Sequence, residues 1–485
     1  MKKGEIYEGV VTRTEYQNRG IVSLPDGLVT VKNTIPGQRI RFRIHKKRSG
    51  RAEGILLEVL EPSPLEKNRE VCSIFPACGG CQYLSMEYDE QLRMKDRQIR
   101  QLLDPLIRDD DGEIWEEIIP SPEHYGYRNK MEFSFGDEYK GGPLALGLHK
   151  KASTYDVLNV SDCRLIHQDL NRIAEAVAGF FREKGTAYYH RMTHEGVLRH
   201  LMLRRAASTG QILVSLVTVS QGCPDLEPLV RILLDLTLEG RITGILHIVN
   251  DSVADVVRAD RIITLFGEEE YYEELLGLRF RITPFSFFQP NTGAAEKLYL
   301  KIRSYAAMCG DLSGKTVFDL YCGTGTIAQV LAPLAKQVIG VEIVPEAVEA
   351  ARENAERNGL DNCRFICGDV LKCLDDLSGK PDLIILDPPR DGIHPKALPR
   401  LLACQVPNII YVSCKATSLA RDLPAFFAQG YSVRKICCVD QFCHTCHVES
   451  IALLQRVSNT RSRSITLDVD MEDYHRIING DDHKK

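Results

Sequence analysis

Between residues 276 and 457, short apolar stretches alternate with amphipathic ones, and this alternation restricts the fold more than any other feature of the chain. The apolar runs, five or six residues rich in Val, Ile, Leu and Phe, are typical of strands buried on both faces. The segment 345–358 between two of them has the periodicity of a helix. The pattern predicts an α/β fold with a Rossmann-like parallel sheet. The expected strands are 316–320, 337–342, 363–367, 382–387 and 408–413.

A glycine-rich turn follows the first of these strands, in Asp319-Leu-Tyr-Cys-Gly-Thr-Gly-Thr, and acids stand at the ends of four successive strands. Glycines let the backbone turn tightly and approach a ligand closely. Glu342 is placed to bind two ribose hydroxyls, Asp369 suits an adenine amino group, and Asp387 ends the fourth strand. NAD is the competing cofactor, but its fingerprint has a third glycine where this chain has Ala328. The acids favour S-adenosylmethionine, a sulfonium without phosphate. The alternative for Asp319 and Asp369 is that each only caps a helix.

Cys414 stands where the strand 408–413 ends and a helix begins. The positive end of that helix and the neighbouring Lys415 both favour the thiolate, the nucleophilic form of cysteine. The alternative is an inert core thiol, which is the commoner role of a buried cysteine. The cofactor turn upstream favours the catalytic interpretation.

A cysteine cluster lies far upstream, where Cys72, Cys78 and Cys81 have the spacing Cys-x5-Cys-x2-Cys in a glycine-rich loop. Three thiolates need a fourth ligand for a 4Fe-4S cluster or for tetrahedral zinc, and Cys163 is the best candidate. The spacing does not separate an iron–sulfur cluster from zinc, and reduced cysteines without a metal are the third alternative. A second pattern, Cys443-His-Thr-Cys446-His447, formally matches a haem attachment motif, but that chemistry belongs outside the cytosol.

The rest of the chain divides by composition into a small barrel, a mixed region and a tail. Residues 1–62 read as five or so short strands, the pattern of a small closed OB-like β-barrel of a kind that often binds RNA. Residues 63–275 are expected to form a central mixed α/β domain that carries the cysteine cluster and a helix from 88 to 103. The methyltransferase-type domain spans 276–457, and 458–485 is a polar tail with one alternating piece. Two basic stretches are candidate RNA surfaces: Arg39, Arg41, Arg43, Lys46, Lys47, Arg48 and Arg51 in the barrel, and Arg199, Arg204 and Arg205 in the centre.

The bulk properties are those of a cytoplasmic protein. The chain has 485 residues and 16 cysteines, and no run is long and apolar enough for a membrane span. In a reducing compartment these cysteines predict metal ligands or catalysis and not disulfides. The net charge of −5 disfavours nucleic acid only weakly, since phosphates need local basic surface. The sequence shows no obligate protein partner.

Taken in order, the motifs of this chain resemble those of the RNA uracil-5-methyltransferase family, in its iron–sulfur branch. The resemblance covers nearly the whole chain, and the ordered set is far more specific than any single piece. It implies that the N-terminal barrel, residues 1–62, is similar to the TRAM domain of that family. It rests on the four cysteines and on Tyr127-Arg-Asn-Lys, Phe288-Gln-Pro-Asn, Asp319-Leu-Tyr-Cys-Gly-Thr-Gly, Asp387-Pro-Pro-Arg, Ser413-Cys-Lys and His444-Thr-Cys-His-Val-Glu.

The resemblance implies a role for each matching residue. Cys414 would be the nucleophile and Glu449 the acceptor of the carbon 5 proton. The residues around S-adenosylmethionine or the target base would be Gln289, Tyr321, Thr326, Glu342, Asp369 and Asp387. The chain departs from the family at Thr326, where many members have Asn, and at Cys443, where Pro is common.

The implied reaction needs these residue types. Carbon 5 of uracil is a poor nucleophile until a thiolate adds to carbon 6 and makes the ring an enolate, which then takes the methyl group. A base must remove the carbon 5 proton before the thiol leaves. The target uracil must also leave the RNA stack to reach the thiolate and the methyl donor. This favours a single-stranded loop, with the uracil stacked on Phe287 or Phe288.

Ribosomal RNA, specifically 23S rRNA, is the expected substrate, because cluster-bearing members of the family mostly act there. A tRNA uridine is the first alternative. An amino-methyltransferase would use an Asp-Pro-Pro loop too, but a nucleophilic Cys414 would be superfluous in it. A non-catalytic RNA-binding iron–sulfur protein would leave the acids at four strand ends without a purpose.

Overall fold

The computed structural model describes residues 1–48, 51–107, 113–253, 258–376 and 380–457. The C-terminal tail, with its expected alternating piece at 464–469, lies outside the described residues. No helix in the described ranges is both long and apolar enough to cross a bilayer.

The N-terminal residues form a closed five-stranded barrel in the order β1-β2-β3-β5-β4, with β4 pairing back onto β1. Alternate residues of each strand point inward, so Val22, Val29 and Phe42 fill a core sealed from water. The barrel that the sequence predicts is therefore confirmed. Its strands are β1 (Ile6–Glu15), β2 (Arg19–Leu24), β3 (Gly27–Lys32), β4 (Arg39–Arg48) and β5 (Arg51–Glu61).

The middle of the chain is a seven-stranded sheet in the order β12-β11-β10-β9-β6-β7-β8, with a separate hairpin of β13 and β14. Helix α2 covers this sheet, and the four cysteines of the expected cluster lie in or beside the same apolar core. Helix α1 lies against β1 of the barrel and the later helix 416–428. The elements are α1 (Tyr88–Leu103), β6 (Lys130–Gly136), β7 (Ala145–His149), β8 (Val157–Asn159), α2 (Gln168–Lys184), β9 (Leu198–Arg205), β10 (Gln211–Thr218), α3 (Glu227–Leu234), β11 (Arg241–Val249), β12 (Arg261–Gly267), β13 (Tyr271–Leu275) and β14 (Leu278–Ile282).

The C-terminal sheet has the order β17-β16-β15-β18-β19-β21-β20. Its first five strands are parallel, and β21 runs antiparallel between β19 and β20. The expected α/β fold is confirmed, and the predicted strands match to within one residue at each end. The elements are α4 (Thr292–Met308), β15 (Thr316–Leu320), α5 (Thr326–Leu331), β16 (Gln337–Glu342), α6 (Pro345–Arg357), β17 (Cys363–Cys367), α7 (Val370–Asp376), β18 (Leu383–Leu386), α8 (Ala397–Ala403), β19 (Asn408–Ser413), α9 (Ala416–Ala428), β20 (Tyr431–Val439) and β21 (Glu449–Arg456).

The strand order reverses at β15, whose neighbours are β16 on one side and β18 on the other. In an open α/β sheet the connections on either side of such a strand diverge and leave a crevice at its carboxyl end. The glycine-rich turn and the acids that end β16 and β18 meet at this crevice, so the topology places the candidate site there.

Candidate active site

The glycine-rich turn after β15 is shaped by backbone angles that few side chains tolerate. Gly325 has φ 74°, and a Cβ there would stand 2.6 Å from the Phe365 ring. Tyr321 also adopts a positive φ, 66°, which is uncommon outside glycine. Glu342 reaches across from the end of β16 and accepts a hydrogen bond from the Gly323 N–H at 3.1 Å. The turn is therefore fixed before any ligand arrives.

Asp319 and Asp369 each do what the capping alternative describes. An oxygen of Asp319 accepts from the Ala328 N–H in the first turn of α5, at 2.9 Å, while its other oxygen is buried and has no hydrogen-bond partner among the described residues. Asp369 accepts from the Leu371 N–H at 2.9 Å at the start of α7. Both acids therefore brace helices at the crevice and can still face a ligand.

Tyr321 and Thr326 flank the turn on its two sides. Burial and then the charge of Asp369 raise the pKa of Tyr321 to about 12, so the phenol and this carboxylate share one environment. Thr326 is buried and is the first residue of α5, directly after the turn. These positions are consistent with the expected cofactor contacts, which stay predictions because the geometry alone does not test them.

The loop that carries Gln289 is clamped over the turn by residues of the central sheet. Asn129 donates to the Gln289 carbonyl at 2.8 Å and to the Thr292 hydroxyl at 3.0 Å. Arg204, fully buried at the end of β9, donates to the carbonyls of Pro284 and Ser286. The motifs around Tyr127 and Phe288, which are far apart in sequence, therefore form one structural unit.

Phe287 and Phe288 point in opposite directions from this loop. Phe287 is 64% exposed and lies above Gly323 at the mouth of the crevice. Phe288 is buried and packs against Phe280, with ring centroids 5.9 Å apart. Stacking on an RNA base is therefore available to Phe287, and the expectation for Phe288 is wrong because its ring is core.

Cys414, Asp387, Arg390 and Glu449 meet beside the crevice, and we call this group the catalytic pocket. Asp387 follows β18, Cys414 follows β19, and Glu449 begins β21. Ser450 pairs with Ser413 across β21 and β19, so the register puts the acid next to the cysteine. Three strand ends thus converge on one spot.

The thiol of Cys414 is protonated in the free protein, contrary to the expectation from its sequence neighbours. Burial, then the charges of Glu449 and Asp387, raise its pKa to about 12. Lys415 does not oppose this, because its ammonium turns outward to the exposed Asp391, 3.8 Å away. The cation that favours the thiolate is Arg390.

The pKa values of both carboxyl groups in the catalytic pocket are raised to near neutral pH. Glu449 is 3% exposed, and burial followed by the charge of Asp387 raises its pKa to about 8, against the effect of Arg390. Burial raises the pKa of Asp387 to about 7. Groups with pKa values near the working pH are suited to proton transfer.

The sequence analysis gave no role to three residues in or beside the catalytic pocket: Arg390, His447 and Tyr299. Arg390 lowers the pKa of Cys414 and Glu449 alike, and the Ser418 hydroxyl donates to its carbonyl at 2.7 Å. His447 lies 3.4 Å from the Arg390 guanidinium, and burial lowers its pKa to about 4. Tyr299 of α4 is buried close to Asp387, Glu449 and Asp319, and burial followed by these charges raises its pKa. Arg390 and His447 stood in quoted motifs, whereas nothing in the sequence marked Tyr299.

Cys72, Cys78, Cys81 and Cys163 are brought together, and we call them the cysteine centre. All four are buried free thiols. Burial raises the pKa of each, and the pKa of Cys163 rises to about 11 with Cys72 and Cys78 as contributors. An all-sulfur set of four fits a cubane cluster or zinc. Across the described ranges, no three Cys, His, Asp or Glu side chains form a group that could hold a metal ion as they stand.

The expected basic surfaces are only partly present. Arg199 and Arg204 are buried and Arg205 pairs with Asp169, so this group supports the fold and the prediction of an RNA surface there is wrong. In the barrel, Arg39 and Arg41 are paired with three glutamates, which neutralises that end of β4. The solvent-facing charge lies at the other end, at Arg43, Lys46 and Lys47.

A glycine turn at the switch point of a seven-stranded sheet, bordered by acids, defines the class: an S-adenosylmethionine-dependent methyltransferase. The model of the tRNA (uracil-5-)-methyltransferase family matches residues 268–457. RNA methyltransferases from Clostridium tetani and Caldanaerobacter subterraneus are 44% and 42% identical to the chain, with 94% of it and at least 99% of each relative covered. The chain belongs to the RNA uracil-5-methyltransferase family.

A solved structure agrees over almost the full length. The Pyrococcus abyssi tRNA (uracil-54, C5)-methyltransferase, in complex with S-adenosyl-L-homocysteine, superposes with a TM-score of 0.70 at 25% identity. The superposition covers 92% of this chain and 100% of that protein. The barrel, the central sheet and the methyltransferase sheet therefore share an arrangement with an enzyme of known reaction.

Proposed function

We propose that the protein transfers a methyl group from S-adenosylmethionine to carbon 5 of a uridine in RNA through a covalent adduct on Cys414. The observation that carries the proposal is the convergence of Cys414, Glu449 and Asp387 at three adjacent strand ends beside the cofactor crevice. An amino-methyltransferase would not need this thiol.

The steps follow from the chemistry of the pocket. Cys414 gives its proton to solvent, and its sulfur bonds to carbon 6 of the uracil, which leaves an enolate with a nucleophilic carbon 5. Carbon 5 takes the methyl group from the sulfonium, the bond between that methyl and sulfur breaks, and S-adenosylhomocysteine is the leaving group. Glu449 then accepts the proton from carbon 5, the C5–C6 double bond reforms, and the sulfur is expelled as thiolate. Arg390 favours both the thiolate and the carboxylate, since its positive charge lowers the pKa of Cys414 and of Glu449.

The remaining predicted site residues hold the methyl donor and the target nucleobase in this proposal. Glu342 binds the ribose hydroxyls, Asp369 the adenine, and Asp387 the uracil edge. The other contacts around the donor or the base come from Gln289, Tyr321 and Thr326. Glu342 already accepts from three backbone N–H groups, and its carboxylate has further acceptor sites for hydroxyl donors.

We also propose that Cys72, Cys78, Cys81 and Cys163 hold a 4Fe-4S cluster, with zinc as the alternative. The donor set is all sulfur and buried, and the thiols lie close enough to influence one another's pKa. Four thiolates are a ligand set that suits either group, and the family resemblance favours the cluster. Such a cluster would cross-link the loop 72–81 to Cys163. Reduced thiols of this kind are typical of a cytoplasmic protein, which is the location we propose.

Ribosomal RNA, in a single-stranded loop, is the proposed substrate. The exposed Phe287 at the crevice mouth gives an unstacked base an aromatic surface, and Arg43, Lys46 and Lys47 give phosphates a basic one. A tRNA uridine is the second candidate, favoured by the names of the matching family model and of the Pyrococcus abyssi enzyme.

The test uses the purified holoenzyme with S-adenosylmethionine labelled in its methyl group. Ribosomal RNA and tRNA that lack 5-methyluridine are supplied in separate reactions, and the labelled nucleoside is identified and mapped. Label in 5-methyluridine of ribosomal RNA supports the full proposal, and label in tRNA selects the second candidate. Label on an exocyclic nitrogen, or transfer that persists in Cys414→Ala, would refute the covalent route.

A further inference from the structure

The segment 440–448, which joins β20 to β21, is fastened to the loop that carries the cysteine centre. The carbonyl of His444 accepts hydrogen bonds from the N–H groups of Gln82 and Tyr83, at 2.9 and 3.0 Å. These two residues directly follow Cys81, a member of the centre. The loop and the segment are more than 350 residues apart in sequence, so the contact exists only in the folded protein.

The side chain of Gln82 makes a second connection. Its oxygen accepts from the Cys446 N–H at 3.1 Å, and its nitrogen donates to the Gly79 carbonyl at 3.2 Å. Gly79 lies inside the Cys78-Gly-Gly-Cys81 loop. One amide therefore bridges the interior of the cysteine loop to the segment, three residues before Glu449.

Apolar packing also joins the segment to the region of the cysteine centre. Cys443 is fully buried and packs in one cluster with Cys72, Cys81, Cys163 and Tyr127. The Tyr127 hydroxyl donates to the Cys443 carbonyl at 3.0 Å. The segment therefore shares an apolar cluster with three of the four cysteines.

The segment needs this support because its backbone is strained. His444 has φ 64°, a left-handed conformation that costs energy in a residue with a Cβ and persists only where the surroundings enforce it. Helix α1 supplies part of that support, since the His444 N–H donates to Gln91 at 3.0 Å and Lys95 donates to the Phe442 carbonyl at 3.0 Å. The cysteine loop adds the bonds from Gln82 and Tyr83, and the His124 carbonyl holds the His444 ring at 2.8 Å.

Glu449 is the first residue of β21, and terminal strand residues fray unless the preceding segment is anchored. A displacement of about 1 Å in a reacting group can lower a rate on the order of a hundredfold. We propose that the cysteine centre is a positioning element for product release: through Gln82 and Tyr83 it holds the turn 443–446, and through that turn it holds Glu449 against the substrate.

The inference rests on the proposed function and concerns one step of it. That step moves the carbon 5 proton to the Glu449 carboxylate, reforms the C5–C6 double bond and breaks the bond between carbon 6 and sulfur. Adduct formation and methyl transfer precede it and do not use Glu449. Loosening the turn should therefore slow release and spare the earlier steps.

The experiment compares Gln82→Leu with the wild-type holoenzyme. The variant removes the bridge from Gly79 to Cys446 and leaves all four cysteines in place, so its cluster absorbance should match wild type. We expect single-turnover methyl transfer within about twofold of wild type and release slowed by about tenfold. A denaturation-stable protein–RNA complex should accumulate on a gel during turnover.

Two further variants sharpen the test. Cys81→Ser removes a ligand of the centre and should show the same accumulation, and the double variant should be no slower than the worse single one, since both changes act on one unit. The matched control is Gln455→Leu, at the far end of β21, where the side chain bonds to Asn408 at 3.3 Å and to no other residue in the described part of the chain. It should release RNA like wild type.

Release at the wild-type rate by folded Gln82→Leu would overturn the inference, whether or not Cys81→Ser folds. Additive effects in the double variant, or a Cys81→Ser protein that loses RNA binding and adduct formation in parallel, would also overturn it. A wild-type enzyme that forms no methylated adduct refutes the proposed function instead, so the two failures are distinguishable.

Discussion

The catalytic pocket brings together two carboxyl groups and one thiol, and the cysteine centre brings together four thiols. The two regions are built in different ways. The catalytic pocket assembles from the ends of β18, β19 and β21, and the exposed guanidinium of Arg390 faces it. The cysteine centre is drawn from loops, all four thiols are buried, and Lys151 is the cation that acts on Cys78 and Cys81. The first region is open to a substrate, and the second is enclosed by an apolar core.

In both regions burial is the first cause of the raised pKa values and neighbouring charges are the second. Such groups stay protonated in the free protein and lose protons when a cation arrives. In our proposal the arriving charge would be the sulfonium of the methyl donor at the catalytic pocket, and iron or zinc at the cysteine centre. In both regions, burial keeps the ionisable groups protonated until a cation binds. In our proposal this property serves catalysis in the open catalytic pocket and structural support in the enclosed cysteine centre.

The largest effect is expected from the nucleophile. Cys414→Ala removes the sulfur that activates carbon 5, so methyl transfer should fall by at least about a thousandfold. The initial rate with labelled methyl donor measures this. Cys223→Ala, a half-buried thiol of the central region, is the control and should keep its activity.

The next largest effect is expected at Glu449, the proposed proton acceptor. Glu449→Gln keeps the shape of the side chain but cannot take the carbon 5 proton, so release should slow by roughly a hundredfold or more. Methylated RNA should remain bound to protein after denaturation. Free methylated RNA at the wild-type rate would show that another group accepts the proton.

The pH dependence follows from the raised pKa of Glu449, about 8. A base works only when unprotonated, so the rate of product release should rise as pH increases from 6 to 9. The rise should level off above the pKa, and Glu449→Gln should lose this dependence. Release that is fastest at pH 6 would contradict the assignment.

Stability should show the opposite trend. Because folding raises the pKa of Glu449, the folded state binds the proton more tightly than the unfolded state, and that stabilisation is lost as pH rises through about 8. Glu449→Gln should therefore raise the Tm at pH 9 by roughly 2–4 °C and leave it nearly unchanged at pH 4, where Glu is already protonated. Differential scanning fluorimetry of the two proteins decides this, and equal shifts at both pH values would contradict it.

The smallest effect is expected at Lys415. Its ammonium faces the exposed Asp391, and exposed ion pairs contribute little. Lys415→Met should change the rate of adduct formation less than about twofold, whereas Arg390→Gln should lower it by much more. A large loss in Lys415→Met would restore the view that the sequence neighbour activates Cys414.

Much of the architecture was predictable from local pattern. Strands such as β15 and β16 could be placed because strands buried on both faces are continuous apolar runs, and the barrel because its strands alternate. The acids at strand ends followed from the same pattern, since parallel strands bring their carboxyl ends to one edge. The sequence could not show that β21 lies between β19 and β20, and that register is what puts Glu449 beside Cys414.

Electrostatics was the harder part. A sequence lists Lys415 beside Cys414, but side-chain direction and burial decide which charge acts on the thiol, and Arg390 does. The same reason explains Arg199 and Arg204, which read as a basic patch and are buried supports of backbone carbonyls. A run of basic residues in a sequence shows only the composition of that stretch. Whether those residues form a charged surface depends on their exposure in the fold.

The central claim is a bond between one sulfur and a pyrimidine carbon. RNA that carries 5-fluorouridine has no carbon 5 proton to lose, so the adduct cannot resolve, and it should accumulate on incubation with enzyme and S-adenosylmethionine. Mass spectrometry after digestion should find a methylated, fluorinated nucleotide on the peptide that contains Cys414. No adduct, or an adduct on another of the 16 cysteines, would contradict the account.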